Sequence, residues 1–370
     1  MKEFEIRMYN TVAVLEDTLH QVYLNPDANA DGIIRLLSLE DPEELEQLFS
    51  FADNVRAKFM GEGILLRGIV EFSSFCDNNC FYCGLNNQNK ALTRYRIPTD
   101  EILEAVANIS ASNIKTVVLQ SGEDHELDPD WLADLVRTIK QRFDMAITLS
   151  VGEKPRNLYQ LWREAGADRY LLKMETADPA IYGSAHSGRH LESRLQCLAD
   201  LADLGYQVGS GLIVGLRGQT LETLARDILF FRQRKFDMIG IGPLIPHPQT
   251  VFAGDPPGSI PLTLKVLAVT RIVTRDTHLP ATTALGSAGG FDYRMDGLKA
   301  GANVLMPNFT PVQYKKFYEI YPGKTCIDET SSKCLSCMGA KATSIGRFID
   351  HSIGHSFKKQ SMFHLGGDLR

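Results

Sequence analysis

From Ile64 to Pro307 the chain repeats one pattern eight times: a short run of β-branched and apolar residues ending on small or polar ones, then an amphipathic stretch of helical period. The runs read as strands are Leu65 to Phe72, Thr116 to Gln120, Ala146 to Ser150, Tyr170 to Glu175, Gln207 to Gly215, Met238 to Pro243, Ala281 to Leu285 and Asn303 to Pro307. Helices are expected to start near Thr99, Pro129, Asn157, Leu191, Leu221, Leu262 and Gly290, most of them after a Ser, Thr, Asp or Asn able to cap the first turn. Strands that alternate with helices pair in parallel, because each crossover returns the chain to the same end of the sheet. Eight such units predict an α/β fold, a (β/α)8 barrel of TIM type, for which 370 residues suffice with extensions. An open doubly wound sheet would call for a phosphate loop or dinucleotide fingerprint after its first strand, and the segment after Phe72 has neither.

The expected organisation is a helical lead-in over 1–62, a barrel over 63–309 and an extension over 310–370. The lead-in carries Ile33, Leu36, Leu37, Leu45, Leu48, Phe49 and Phe51 at helical steps. Lys and Arg number 39 against 45 Asp and Glu, a net charge of -6, so nothing electrostatic favours nucleic acid or an anionic membrane as a partner. No window approaches the roughly 18 apolar residues of a membrane span, and Met1 to Glu5 lacks the apolar core of a signal peptide. A cytoplasmic protein that takes a small ligand is expected.

The cysteines sharpen this. Of seven, three fall in Cys76, Cys80 and Cys83, three in Cys326, Cys334 and Cys337, and Cys197 stands alone, which suits a buried small hydrophobe. Two triplets and a singleton do not make a disulfide framework; the close spacing reads as metal or redox chemistry. The loop Phe75-Cys76-Asp77-Asn78-Asn79-Cys80-Phe81-Tyr82-Cys83-Gly84 follows the first strand, at the end where a barrel presents its catalytic loops. Three thiolates can hold three corners of a cubane and leave one iron open to an outside molecule. A zinc knuckle would need a fourth ligand, which this stretch does not supply.

This C-x3-C-x-aromatic-C loop resembles that of the radical S-adenosylmethionine (SAM) family. The resemblance implies a [4Fe-4S] cluster on Cys76, Cys80 and Cys83 that delivers one electron to SAM and yields a 5'-deoxyadenosyl radical. It also implies that Ser121 and Gly122, in Ser121-Gly122-Glu123, receive the SAM amino group, although any solvated turn can carry that sequence. Glu175, at the end of the fourth strand, is implied to hold the ribose. Gly211, Ile213 and Gly215 are implied to pack the adenine, and tight strand packing alone would also explain the glycines. Arg189 could pair with a carboxylate of SAM or substrate, or lie solvated at the surface.

Further segments narrow the resemblance. Arg94-Tyr95-Arg96, Ile241 to Pro248, Ala281 to Gly286, Ala302 to Asn308 and Tyr321-Pro322-Gly323-Lys324 are similar to the HydE family of [FeFe]-hydrogenase maturases, with Asn86 standing where typical members carry an arginine. That likeness implies an iron-complex or other small-molecule substrate, a sulfur-bearing cysteine adduct of iron carrying CO and cyanide. It also implies a reductant such as flavodoxin or ferredoxin, other hydrogenase maturases as partners, and an auxiliary [2Fe-2S] or [4Fe-4S] cluster on Cys326, Cys334 and Cys337. Thr282, Thr283, Ser287 and Asn308, near the ends of strands seven and eight, can donate hydrogen bonds to an anionic substrate; Thr282 and Thr283 equally suit ordinary strand positions.

Methylornithine synthase and biotin synthase share the barrel and first loop and stand as enzyme alternatives. A non-catalytic iron-sulfur carrier or scaffold is the alternative of another class, and it would need neither Glu175 nor the glycine-rich fifth strand. Lys324, Ser331, Ser332 and Lys333 suggest that the second triplet sits in an exposed, mobile loop. His351 and His355 stand four apart on an expected C-terminal helix.

Overall fold

The computed structural model of the chain describes residues 14–325, 327–328 and 331–358, with side chains in the last stretch from 335 onward. Strands β1 (Gly63–Leu66) and β2 (Gly68–Ser73) form the first stave of the barrel, separated by Arg67. β3 (Thr116–Ser121), β4 (Ala146–Ser150), β5 (Arg169–Leu171), β6 (Gln207–Val214) and β7 (Met238–Pro243) follow β2 in one parallel sheet. β8 (Val304–Leu305) pairs in parallel with β1, and bridges Met238 to His278, Ile241 to Ala281 and Pro280 to Val304 carry the pairing from β7 round to β8. Strands buried on both faces, such as β2, β3 and β7, read as near-continuous apolar runs because helices cover the outside.

The seventh stave corrects one expectation. Ala281 to Leu285 is not a strand: Pro280 has no N–H for the ladder, pairing stops at Ala281, and Thr283–Ser287 turns helical. The fourth strand is also shorter than expected, ending at Leu171, and pairs with β6 again only at an isolated bridge from Glu175 to Leu212. A helix not foreseen, Pro179–Ala185, starts on Asp178, whose side chain caps the amides of Ala180 and Ile181. The helix expected near Gly290 begins at Arg294, since Gly289 and Gly290 both take positive φ.

The N-terminal helices Ala30–Leu37 and Pro42–Met60 pack on the barrel helix Ile260–Thr274, the latter from the N-cap Asp41 onward. At the other end of the chain, β9 (Phe348–Asp350) pairs in parallel with β1. Residues 351–358 then cross the bottom of the barrel. Thr116 and Arg169 donate to the Ile353 carbonyl, each at 3.0 Å, and Arg169 and Gln207 donate to His355 Nδ1 at 3.1 and 2.8 Å. His351 and His355 are therefore not on a helix: donors on the staves claim the Ile353 carbonyl and the His355 ring. Among the described residues no helix is long and apolar enough to cross a membrane.

Candidate functional site

The loop after β2 lies across the top of the barrel, and two glycines set how closely. A Cβ on Gly122 would sit 2.2 Å from the Phe75 carbonyl oxygen and 2.6 Å from Cys76 Cβ, so only glycine lets the end of β3 approach the cysteine loop. A Cβ on Gly84 would meet the Glu319 carbonyl oxygen at 2.1 Å. The backbone is pinned at Asp77 N to Glu123 O, Phe81 N to Ala185 O and Gly84 N to Ile320 O, each 2.9 Å.

Two side chains close the loop from below. Arg94 donates to the carbonyls of Ser74, Leu85 and Asn86 at 2.5, 2.9 and 2.8 Å. Asn86, the departure from the HydE pattern, is buried; its Nδ2 donates to Cys83 O at 2.7 Å, and its Oδ1 accepts from the amides of Gln88 and Asn89. Here it caps the turn after the third cysteine.

Cys76, Cys80 and Cys83 are half-buried free thiols. Burial pushes all three up, Cys83 to about 12, and their charges would repel one another, so the set is held as thiolates only by positive charge such as iron supplies. Among the described residues no three His, Cys, Asp or Glu side chains converge on a single ion. A cubane takes one thiolate on each of three irons, and the loop offers three.

Next to the thiols, Glu175 turns its backbone into the left-handed region at φ 66°. Glu175 N donates to Gly211 O at 2.9 Å, and its carbonyl accepts from Ile213 N at 3.1 Å. Lys173 Nζ stands 2.9 Å from Glu175 Oε2. Gly211 makes the room: a Cβ there would meet Lys173 Cε at 2.8 Å and the Gly240 carbonyl oxygen at 2.1 Å.

Tyr82 bridges the two halves. Its hydroxyl is 3.1 Å from His186 Nε2 and 3.5 Å from Glu175 Oε1. His186 Nδ1 faces the Tyr182 carbonyl at 2.9 Å and must donate to it, and burial together with Arg194 holds the imidazole down to about 4 and therefore neutral. Nε2 is then an acceptor, so the single Tyr82 hydroxyl proton faces two acceptors, His186 Nε2 and the Glu175 carboxylate.

Below these groups opens a cavity of about 300 Å³ inside the barrel, lined by Cys83, Tyr82, Glu175, Lys173, Thr282 and Tyr321 among others. Residues 70–231 match the radical SAM superfamily. The chain is also 46% identical over 313 residues to the [FeFe] hydrogenase maturase subunit HydE of Thermotoga maritima, an alignment spanning 84% of this chain and 89% of that one. The chain belongs to the HydE family of radical SAM proteins. It is similar as well to the 3-methylornithine synthase of Methanosarcina acetivorans, 28% identical over 74% of this chain and 78% of that protein. The crystal structure of methylornithine synthase (PylB) superimposes with a TM-score of 0.77 at 24% identity, covering 90% of this chain and 97% of that one, which establishes the shared fold. As a radical SAM enzyme the chain uses a [4Fe-4S] cluster and SAM.

Within this HydE-family chain the residues singled out from sequence are placed unevenly. Ile213 lines the cavity, and Gly215 takes φ 103° with Gly258 Cα only 2.7 Å from where its Cβ would be. Ser121 closes on its own neighbour, donating to Gly122 O at 2.7 Å. Arg189 is half-buried and pairs within the protein: Nη2 donates to Glu123 Oε1 at 2.6 Å and to Asn78, and Nη1 lies 3.5 Å from Glu153. Thr282 and Thr283 line the cavity, with Tyr321 donating to Thr283 Oγ1 at 3.0 Å. Ser287 and Asn308 do not line it. Ser287 accepts from Thr325 N, and Asn308 donates to Glu71 at 2.9 Å while accepting from Thr310 N.

The second triplet is only partly visible. Cys326 and the Cys334 side chain lie outside the described residues; Cys337 is exposed on the helix Ser331–Ser344. Lys324, expected in an exposed loop, is instead buried against Glu71, because the mouth of the barrel holds a carboxylate that needs a cation. The sequence shows Lys173 as a charge in an apolar strand that needs a partner, and Glu175 is that partner; it does not mark Tyr82, His186 or Glu71 as site residues. Gly211, whose missing Cβ leaves room for Lys173, is a second signal for it.

Proposed function

We propose that the chain assembles the di-iron cofactor of [FeFe]-hydrogenase, binding the cluster through Cys76, Cys80 and Cys83 and SAM at the adjoining strand ends. The observation that carries this reading is that Cys83 and Glu175 line the same cavity as Thr282 and Thr283, so a radical made at one end meets a substrate held at the other. When bound, the cluster supplies one electron that cleaves SAM to methionine and the 5'-deoxyadenosyl radical. Glu175 accepts the ribose hydroxyls, the backbone of Ser121 and Gly122 takes the amino group, and the segment from Gly211 to Gly215 packs the adenine. Arg189, spent on Glu123 and Asn78, holds that amino-binding segment in place.

The substrate is a small, iron-bound cysteine adduct. Lys173 offers it positive charge, Thr282 and Thr283 offer hydroxyls, and the closed bottom of the barrel keeps the radical from solvent. Flavodoxin or ferredoxin would deliver electrons, other hydrogenase maturases would exchange substrate and product, and the thiolate chemistry suits the reducing cytoplasm. Cys326, Cys334 and Cys337 would hold an auxiliary cluster. Expression in a host that makes [FeFe]-hydrogenase but lacks its HydE tests the assignment. Restored hydrogenase activity is expected; SAM cleavage in vitro with no restoration would assign the chain another substrate.

A further inference from the structure

We infer that Asp227, on the helix Leu221–Arg234, is a positioning residue that holds Glu175 in its left-handed turn and so aims its carboxylate into the nucleoside site. The inference rests on the proposed ribose role of Glu175. A non-glycine residue at positive φ persists only where its surroundings over-determine it. Gly211 and Ile213 fix the two peptide groups of Glu175 itself, and Asp227 fixes the next two residues, Thr176 and Ala177. Its Oδ1 accepts from Ala177 N at 2.5 Å and from Thr176 Oγ1 at 3.2 Å. The same Thr176 hydroxyl accepts from Asp178 N at 3.1 Å, and Asp178 starts the helix Pro179–Ala185 that leads back to the cluster loop.

Thr176 and Asp227 are wholly buried, and Asp227 Oδ2 has no hydrogen-bond partner among the described residues. Burial pushes the Asp227 carboxyl up to about 7, opposed by the Ala177 amide and Thr176 hydroxyl. A buried acid without a bonded cation is a poor choice for stability alone. What Oδ1 supplies is a two-donor acceptor at one place, directly after Glu175.

The test is SAM affinity of the anaerobically reconstituted full chain, with iron and sulfide content measured alongside, in Asp227→Ala, Asp227→Asn, Glu175→Ala and the double variant Asp227→Ala/Glu175→Ala. Asp227→Ala is expected to weaken SAM binding about tenfold with the cluster intact, the equivalent of about 1.4 kcal/mol. Asp227→Asn keeps the acceptor and is expected to restore binding, and Asp227→Ala should cost nothing further once Glu175 is gone. Thr176→Val, with one donor removed, is expected to move the same way by less, and serves if Asp227→Ala does not fold. Unchanged affinity in Glu175→Ala overturns the ribose reading itself. Loss in Glu175→Ala with none in Asp227→Ala or Thr176→Val overturns the role of Asp227 alone, as does an equal loss with and without Glu175 or a failure of Asn to rescue.

Discussion

Lys324 and Glu71 form an ion pair at the mouth of the barrel with both side chains more than nine-tenths buried. Asn308 donates to the other oxygen of Glu71, and the Tyr318 ring lies 5.0 Å from the ammonium. Glu71 belongs to the first stave and lines the cavity, while Lys324 comes from beyond the barrel, two residues before Cys326. The extension is thereby fastened inside the site it borders.

Lys324→Met leaves the Glu71 charge buried without its partner, which costs about 3–5 kcal/mol. Denaturant unfolding measures this, and adding Glu71→Gln should recover part of it. A cost below about 1 kcal/mol, the level of an exposed pair, would mean that water reaches Glu71 freely.

The two cysteine triplets should separate. With Cys326, Cys334 and Cys337 all replaced by Ala, the chain is expected to fold, load the first cluster and retain most SAM cleavage, because Lys324 anchors the segment without them. Iron at the second site is expected to vary between preparations. Normal first-cluster absorption with complete loss of substrate turnover would instead make the second site an obligatory sulfur donor or electron relay.

Glu175→Gln is expected to keep the cluster and weaken SAM binding by about 1.5 to 3 kcal/mol, the worth of a charge-assisted hydrogen bond. Equilibrium binding of SAM to the reconstituted variant decides it, and an unchanged Kd would remove Glu175 from the nucleoside site.

Asp292 couples the second-cysteine helix to acid. Burial would raise its carboxyl, but Arg294, at 2.8 and 2.9 Å, and Lys341 of the helix Ser331–Ser344 outweigh burial and hold it well below the usual carboxylate range. A depressed carboxylate stabilises the fold above its unfolded value near 4, and that contribution is lost as the pH falls toward its folded value. Asp292→Asn should therefore speed amide exchange over 331–344 at pH 7, with the difference from wild type shrinking as the pH falls below about 4. A difference that stays constant into acid would show that the Asp292 charge plays no part.

The barrel was legible because strand alternation depends on local pattern, and Ala146–Ser150 and Met238–Pro243 begin and end where their apolar runs do. The seventh stave misled because Ala281 to Leu285 has strand-like residues, whereas pairing there is decided by Pro280 and by what β7 offers. Likewise the cysteine loop announces itself by spacing, but Lys324–Glu71 joins residues 253 apart and Asp227 acts 50 residues from Ala177. Such contacts exist only once the staves close. Spacing also suggested a helix for His351 and His355, which lost to the donors at the bottom of the barrel.

The most direct measurement is 5'-deoxyadenosine formation by the chain after anaerobic reconstitution with iron and sulfide, reduction and addition of SAM, run beside Cys80→Ala. Wild type is expected to release 5'-deoxyadenosine and methionine, and Cys80→Ala to lose both the [4Fe-4S] absorption and the product. A fully loaded wild-type cluster that leaves SAM intact, or a Cys80→Ala variant that still cleaves it, would contradict radical SAM chemistry at this loop.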